Sequence, residues 1–123
     1  MSDNRRRFVA IHSALKKLSP EEPRGNFARH LTTLAMLISG IVGSKRVHLP
    51  AIACKVPTQT KVESQVKRFC RWVSNERIDF ECYYFPYARQ LLANLAHQTL
   101  VLVMDGSPVG RECRTLMLSV VYK

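Results

Sequence analysis

One apolar stretch decides the fold of this 123-residue chain, FARHLTTLAMLISGIV, which spans residues 27–42. Its apolar side chains recur every three or four residues, the spacing of one face of an α-helix. That face holds Phe27, Leu31, Leu34, Ile38 and Ile41, widened by Ala35, Leu37 and Val42, with Arg29, Thr32, Thr33 and Gly40 opposite. A stripe of this width predicts a helix that forms the core of a small domain and stops near Gly43.

Helices are also predicted on either side of this stretch. Apolar residues at helical spacing predict a helix over 5–18, and the two prolines within 19–23 predict a turn after it. A short helix is predicted over 50–55, because Pro50 suits a first helical turn and Pro57 prevents continuation. The front of the chain is therefore expected to be a helical domain.

The helix predicted over 61–75 has two unlike sides. Thr60 and Glu63 have the spacing of a capping box, which predicts its start. Its apolar side holds Val62, Val66, Phe69, Cys70 and Val73, and its polar side holds Lys61, Ser64, Lys67, Arg68, Arg71 and Asn75. The apolar side is expected to pack inward, and the basic side to face water or a partner.

A further helix is predicted within residues 76–98, begun or kinked by Pro86. Its expected buried face holds Tyr87, Leu91, Leu92 and Leu95. The aromatic residues Phe80, Tyr83, Tyr84, Phe85 and Tyr87 are expected to pack against the domain, since aromatic side chains stabilise mainly by burial. Stacking on bases is the alternative.

The character of the sequence changes at Leu100. The short apolar run 100–104 is typical of a central strand buried on both faces. The residues 105–108 are expected to end that strand, and 108–111 to form a turn. A second strand is predicted over 116–122, close enough in sequence to pair with the first as an antiparallel hairpin.

The net charge of +10 is concentrated at the front of the chain. Residues 1–98 hold 16 of the 19 basic side chains and 7 of the 9 acidic ones. Such an excess implies an anionic partner, of which nucleic acid is the commonest. Anionic membrane is the main rival.

Cysteines, histidines and hydropathy exclude several other classes. Cys54, Cys70, Cys82 and Cys113 contain no CxxC pair, and no histidine joins them at ligand spacing, which argues against a zinc finger. We expect reduced cysteines. No signal peptide is apparent, and no apolar segment reaches the roughly 20 residues of a membrane span. The expected location is the cytoplasm.

The short helix over 50–55, a turn and the basic helix over 61–75 have the outline of a helix-turn-helix. The second helix of such a unit enters the major groove, where basic and small polar side chains reach phosphates and base edges. The predicted DNA contacts are Lys45, Arg46, Thr58, Gln59, Lys61, Ser64, Gln65, Lys67, Arg68 and Arg71. An ordinary solvated helix face is the alternative interpretation, against which the charge of the front segment weighs.

Asp105 directly follows the predicted buried strand. A carboxylate at the end of a strand lies where active sites often form. On pattern alone, however, Asp and Gly after a strand are most often turn residues.

Two segments resemble parts of DDE-type transposases of bacterial insertion sequences. LVLVMDGS, residues 100–107, followed by Arg111 and the second strand, looks like the start of their catalytic core, and VESQVKRFCRW, residues 62–72, is similar to their upstream basic helix. The resemblance covers nearly the whole chain. It implies an RNase H-like core in which three acids hold two divalent ions, usually Mg²⁺. Asp105 matches the first acid.

The chain departs from that family after its second strand. It ends at Lys123 without the later strands, the second Asp or the final Glu, and Glu112 matches neither missing acid. Because one carboxylate cannot hold a two-metal site, we expect no tight metal binding and no strand cleavage by this chain alone.

These observations predict two parts: a mainly α-helical, helix-turn-helix-like DNA-binding region over 1–97, and over 98–123 the first β-hairpin of an incomplete α/β RNase H-like core. The expected partner is the DNA of transposon ends, with a second copy or an intact transposase as the expected kind of protein partner. The alternative function is a small helix-turn-helix transcriptional regulator. Membrane binding ranks last, because the bulky apolar residues are expected to be committed to a core.

Overall fold

A computed structural model describes residues 2–108 and 114–121 of the chain. Its helices are α1 (Asp3–Leu18), α2 (Gly25–Ser44), α3 (Leu49–Cys54), α4 (Val62–Val73), α5 (Phe80–Tyr83) and α6 (Phe85–Leu95), and its strands are β1 (Val101–Pro108) and β2 (Arg114–Val121). The chain divides into two compact units, Met1–Ala88 and Arg89–Lys123. No helix of the described residues is both long and apolar enough to cross a membrane.

Helix α2 is the centre of the first unit. It contacts α1, α3 and α4, so it is covered on more than one side. One core cluster contains Leu15, Leu31, Ala35 and Tyr87, and the other contains Leu37, Ile52, Ala53, Val56 and Phe69. The predicted core helix is confirmed. Five residues of its stripe are shared between the two clusters: Leu31, Leu34, Ala35, Leu37 and Ile38.

The burial of α2 extends beyond the predicted stripe. Thr33 and Gly40, both predicted to lie on the opposite side, are buried, as is Ser39. Ile41, predicted within the stripe, is exposed. Small residues on the side opposite the stripe allow α3 and α4 to approach α2 closely. A single apolar stripe therefore did not predict the burial of that second side.

Local signals account for the ends of α1. Ser2 is its N-cap, and its side chain accepts a hydrogen bond from the backbone N–H of Arg5. Asp3 lies in the first turn and Lys16 and Lys17 in the last, an arrangement that complements the helix dipole. The helix ends at Leu18, before the predicted turn.

Two predicted helix boundaries are wrong in detail. Helix α2 passes Gly43 and ends in a left-handed cap at Lys45, whose φ is 55°. The N-cap of α4 is Lys61 and has no side-chain bond, so there is no capping box. Thr60 lies one residue before that N-cap. Its hydroxyl accepts a hydrogen bond from the hydroxyl of Thr58, and its backbone N–H donates to the same Thr58 oxygen.

The predicted helix within 76–98 is observed as two pieces, α5 and α6, with Pro86 in the first turn of α6. Tyr87 is buried as expected, but Leu91 is 53% exposed and Leu92 is also exposed. The division between the two units falls directly after Ala88. Tyr87 therefore belongs to the core of the first unit, whereas the two leucines have no comparable core around them.

Strands β1 and β2 form the predicted antiparallel hairpin. The prediction that β1 is a central strand buried on both faces is wrong. Leu102, Met104 and Leu118 are exposed, and each described strand pairs with only one neighbour. Residues 105–108 do not end the strand, since β1 runs on to Pro108. Most of the predicted turn over 108–111, together with Glu112, Cys113 and Tyr122, lies outside the described residues.

Candidate nucleic-acid interface

The exposed face of α4 carries most of the predicted DNA contacts. Lys61, Ser64, Lys67, Arg68 and Arg71 are all exposed, as predicted. They lie at or within a 12-residue helix whose opposite side packs on the core through Phe69, which is fully buried. The packing of Phe69 therefore fixes which side chains of α4 face the solvent.

Gln65, one of the predicted DNA contacts, is buried and not exposed as that prediction requires. Its side chain is only 1% exposed, whereas Val73, predicted to pack inward, is 64% exposed. The buried side of α4 is thus turned toward Gln65 and Trp72 and away from Val73 and Cys70. Helical periodicity predicted that α4 has a buried and an exposed side, but it centred the buried side on the wrong residues. Helices α2 and α3 cover a side of α4 that includes the polar residue Gln65.

Arg68 and Arg71 open onto a recess that α4 shares with α2. Arg29 contributes a third guanidinium, and the wall is completed by His30, Thr33, Trp72 and Asn75. The recess has a volume of about 280 Å³. We name it the arginine notch. It brings together two predicted contacts and residues of α2 that the prediction missed, although Arg29 lies on the side of α2 opposite the apolar stripe.

Hydrogen bonds fix part of the notch. Arg68 donates from Nη2 to Oγ1 of Thr33, with 3.1 Å between the atoms. Thr33 in turn donates from the same oxygen to the carbonyl oxygen of Arg29, also at 3.1 Å. Since Thr33 is buried, the chain of bonds holds Arg68 in one position against α2.

Tyr83 packs behind the notch. Its ring centroid lies 6.0 Å from those of Trp72 and His30, edge-on in both cases, and 5.6 Å from that of Phe27. Burial raises the pKa of Tyr83 above its ordinary value. The expectation that the aromatic cluster packs is thus met by Tyr83 and Tyr87, whereas Phe80, Tyr84 and Phe85 are exposed.

Thr58 and Gln59 lie in a different recess. It is about 520 Å³ in volume and is shared with the start of α1, including Arg5 and Phe8. Thr58 is partly buried and its hydroxyl bonds to Thr60, while Gln59 is exposed. These two predicted contacts are therefore grouped with α1 and not with the arginine notch.

Lys45 and Arg46 line neither recess. Both are exposed in the connection between α2 and α3. Lys45 has a structural role as the left-handed cap of α2, and the carbonyl oxygen of Arg46 accepts a hydrogen bond from the hydroxyl of Ser44. Their side chains are available for contact, as predicted, but at a separate place on the surface.

No carboxylate neutralises the cations of α4 within the described part of the chain. The ion pair described there joins Arg24 to Glu22, and no lysine or arginine of α4 has a carboxylate within 4.0 Å. The three basic residues of α4, Lys67, Arg68 and Arg71, outnumber its one carboxylate, Glu63, so the helix keeps a net positive charge, which attracts polyanions.

Asp105 lies in the middle of β1, paired with Met117 of β2, and not at a strand end. It is exposed, and the hydroxyl of Ser107 donates to its Oδ2 at 3.4 Å. Among the described residues, no three potential ligands gather around a common point. A two-metal centre needs several carboxylates, so the residues present do not form one, and we derive no catalytic step from Asp105.

Comparisons of the chain with protein-family models, with curated proteins and with solved structures gave no match. Function is therefore argued from the geometry and charge of the described residues.

Proposed function

We propose that this protein binds double-stranded DNA through the exposed basic face of α4. The observation that carries the proposal is the exposure of Lys61, Lys67, Arg68 and Arg71 on one helix that is anchored from behind by buried Phe69. A rigid helix with a basic face suits the long, regular polyanion that DNA presents.

The dimensions of α4 agree with this proposal. Its 12 residues correspond to a length of roughly 18 Å, at about 1.5 Å per residue. The major groove of B-DNA, about 12 Å wide, admits an α-helix. In this arrangement the basic side chains reach phosphates, while Ser64 carries a hydrogen-bonding group suited to base edges.

The connection from α3 to α4 supports a helix-turn-helix interpretation of the same surface. The two helices contact each other, and residues 55–61 join them. In the proposed complex, α4 is the recognition helix and docks in the major groove. Thr58 and Gln59, which lie in the connection before α4, would then be near the DNA backbone.

The proposal is tested by the salt dependence of binding to a labelled duplex, followed by fluorescence anisotropy between about 50 and 200 mM salt. The logarithm of the binding constant should fall linearly with that of the salt concentration, by about 0.9 per phosphate neutralised. Lys67→Gln should lower the affinity and reduce the slope by about 1.

Lys17→Gln is the matched control. It also replaces a lysine by glutamine, but in the last turn of α1 and not on α4. It should leave the slope nearly unchanged. Equal losses for the two variants would show diffuse charge attraction without an α4 interface. A wild-type chain that binds no duplex at low salt would exclude the proposal.

The resemblance to DDE-type transposases supports a narrower proposal, in which the DNA is an end of an insertion sequence. It rests on residues 62–72 and 100–107. The protein should then bind a duplex containing the inverted repeat that borders its own gene at least about tenfold more tightly than a shuffled duplex of equal composition. Equal affinities would contradict this proposal but leave DNA binding intact.

A small transcriptional regulator is the competing class. It would act as a dimer on a palindromic site whose half-sites are about one helical turn apart. Sedimentation of the protein–duplex complex distinguishes the two, because a regulator of this kind places two chains on one palindrome.

A further inference from the structure

We infer that the arginine notch is a phosphate-binding site, in which Arg29, Arg68 and Arg71 hold one phosphodiester group of bound DNA. The inference deepens the proposed function and rests on it. It adds residues of α2 to an interface otherwise formed by α4, and it assigns a defined ligand group to a defined recess.

The first argument is the sign of the charge. Three guanidinium groups from two helices line one recess, and none of the lining residues is acidic. Like charges brought together around one recess repel one another. An anion bound among the three arginines converts this repulsion into attraction.

The second argument is preorganisation. The bond from Arg68 to buried Thr33 uses one N–H of the five that a guanidinium carries, which leaves four for a ligand. The hydroxyl of Thr33 is itself fixed, because it donates to the backbone carbonyl oxygen of Arg29 within α2. A flexible surface charge lacks this support, so the notch differs from the exposed lysines of α4.

The third argument is the donor character of the wall. Three of the lining residues, Arg29, Arg68 and Arg71, carry guanidinium donors, whereas the indole Nε1–H of Trp72 is buried and is not counted among the donors. Guanidinium groups only donate hydrogen bonds, and a phosphate group offers only acceptor oxygens when ionised. Arginine is the side chain best matched to phosphate, because its planar fork forms two parallel bonds.

The experiment uses the single tryptophan of the chain, Trp72, which lies in the notch. Titration of the full-length protein with an unlabelled duplex should change the fluorescence of Trp72, with the same midpoint that anisotropy gives for a labelled copy. Inorganic phosphate, compared with chloride at equal ionic strength, should produce the same change only at far higher concentration.

Arg68→Lys tests geometry at constant charge. It should weaken duplex binding about tenfold, the loss expected for one charge-assisted hydrogen bond. Lys67→Arg, the matched control on the neighbouring exposed position, should change affinity by less than about twofold. Thr33→Val keeps the charge and nearly the shape but removes the hydroxyl, and should act in the same direction as Arg68→Lys.

The outcomes separate the inference from the function on which it rests. Duplex binding seen by anisotropy, with a silent Trp72 and an unaffected Arg68→Lys variant, overturns the phosphate site and leaves DNA binding by α4 standing. Absence of any duplex binding overturns both. Thermal unfolding of each variant, followed by circular dichroism, shows whether the fold is kept. If a variant unfolds, the wild-type Trp72 response alone decides.

Discussion

Arg7 of α1 donates a hydrogen bond from its Nε to the carbonyl oxygen of Ser39 in α2, and the two atoms are 2.9 Å apart. Its Nη2 also donates to Oδ1 of Asn4, at 2.8 Å. Of the three consecutive arginines near the start of the chain, Arg5 and Arg6 are exposed and Arg7 joins two helices. Arg7 therefore contributes to the packing of α1 on α2, although the composition alone would count its charge as part of a basic surface.

Arg7→Ala should lower the free energy of unfolding by about 1.5–3 kcal/mol, because it removes a partly buried bond from a charged donor. Urea denaturation measures the loss. Arg6→Ala, an exposed neighbour, should stay within about 0.5 kcal/mol of the wild type. Similar values for the two variants would mean that the Arg7 contact adds no stability.

Gly40→Ala should destabilise the contact between α2 and α3. A Cβ atom built at Gly40 lies 2.7 Å from the backbone carbonyl oxygen of Ile52, which cannot move aside as a side chain can. We expect a loss of about 1–3 kcal/mol by urea denaturation, despite the better helix propensity of alanine. At Gly43 the Cβ would meet the guanidinium of Arg7, so Gly43→Ala should displace that side chain and lose about as much stability as Arg7→Ala; an unchanged urea midpoint would contradict this expectation.

Gln65→Met should leave DNA affinity unchanged. The side chain is buried, and its Oε1 has no hydrogen-bond partner among the described residues. Replacing it by an apolar group of similar length should keep or raise the stability, by about 1 kcal/mol at most. Anisotropy with the labelled duplex checks the affinity, with exposed Arg71→Gln as the comparison. A loss as large as that of Arg71→Gln would restore Gln65 as a DNA contact.

His12 should make stability depend on pH. Burial and, to a lesser degree, nearby Lys16 lower the pKa of His12 below its ordinary value. Its Nε2 lies 3.3 Å from Oγ1 of Thr32, whose own hydrogen is donated to the carbonyl oxygen of Ala28. Nε2 must therefore carry the hydrogen in this contact, and the neutral ring suffices for it.

The folded state binds the His12 proton less tightly than the unfolded state. The stability that neutral His12 contributes to the fold is therefore fully present above the unfolded pKa. It is lost as the pH falls through the unfolded and then the folded value. Urea midpoints should therefore drop more in the wild type than in His12→Gln between about pH 7.5 and pH 5. A drop of equal size in both proteins would assign the pH dependence to other groups.

The hairpin should promote self-association through one of its two faces. The pairing register places Leu102, Met104, Leu116, Leu118 and Val120 on one face. The other face is mixed: Asp105, Ser107, Thr115 and Ser119 lie there beside Val101, Val103, Met117 and Val121. Met104 is 67% exposed. Two strands alone rarely suffice for a stable sheet, and an exposed apolar face favours association.

Leu118→Lys should reduce self-association, measured by sedimentation, and Thr115→Lys on the mixed face should reduce it much less. A chain that ends at Gln98 should be more soluble than the whole. If the wild type, the two variants and the shortened chain all sediment alike, the apolar face of the hairpin does not drive association.

The sequence by itself determined the kinds and order of the elements. Apolar spacing predicted α1, α2 and α4, prolines predicted the turn after α1 and the start of α3, and the change of character at Leu100 predicted the hairpin. These features depend on residues close together in the chain, and local periodicity and turn chemistry are sufficient to read them. The net charge likewise belongs to the composition alone.

Only the tertiary structure decided which sides of the helices are buried. Gln65 lies inside and Val73 outside because α2 and α3 together cover one side of α4, and no pattern within α4 contains that information. The arginine notch depends on a contact between Thr33 and Arg68, which are 35 residues apart in sequence. Asp105 was predicted to follow a strand but lies in the middle of β1. Pairing with β2 extends β1 through residues that would otherwise favour a turn.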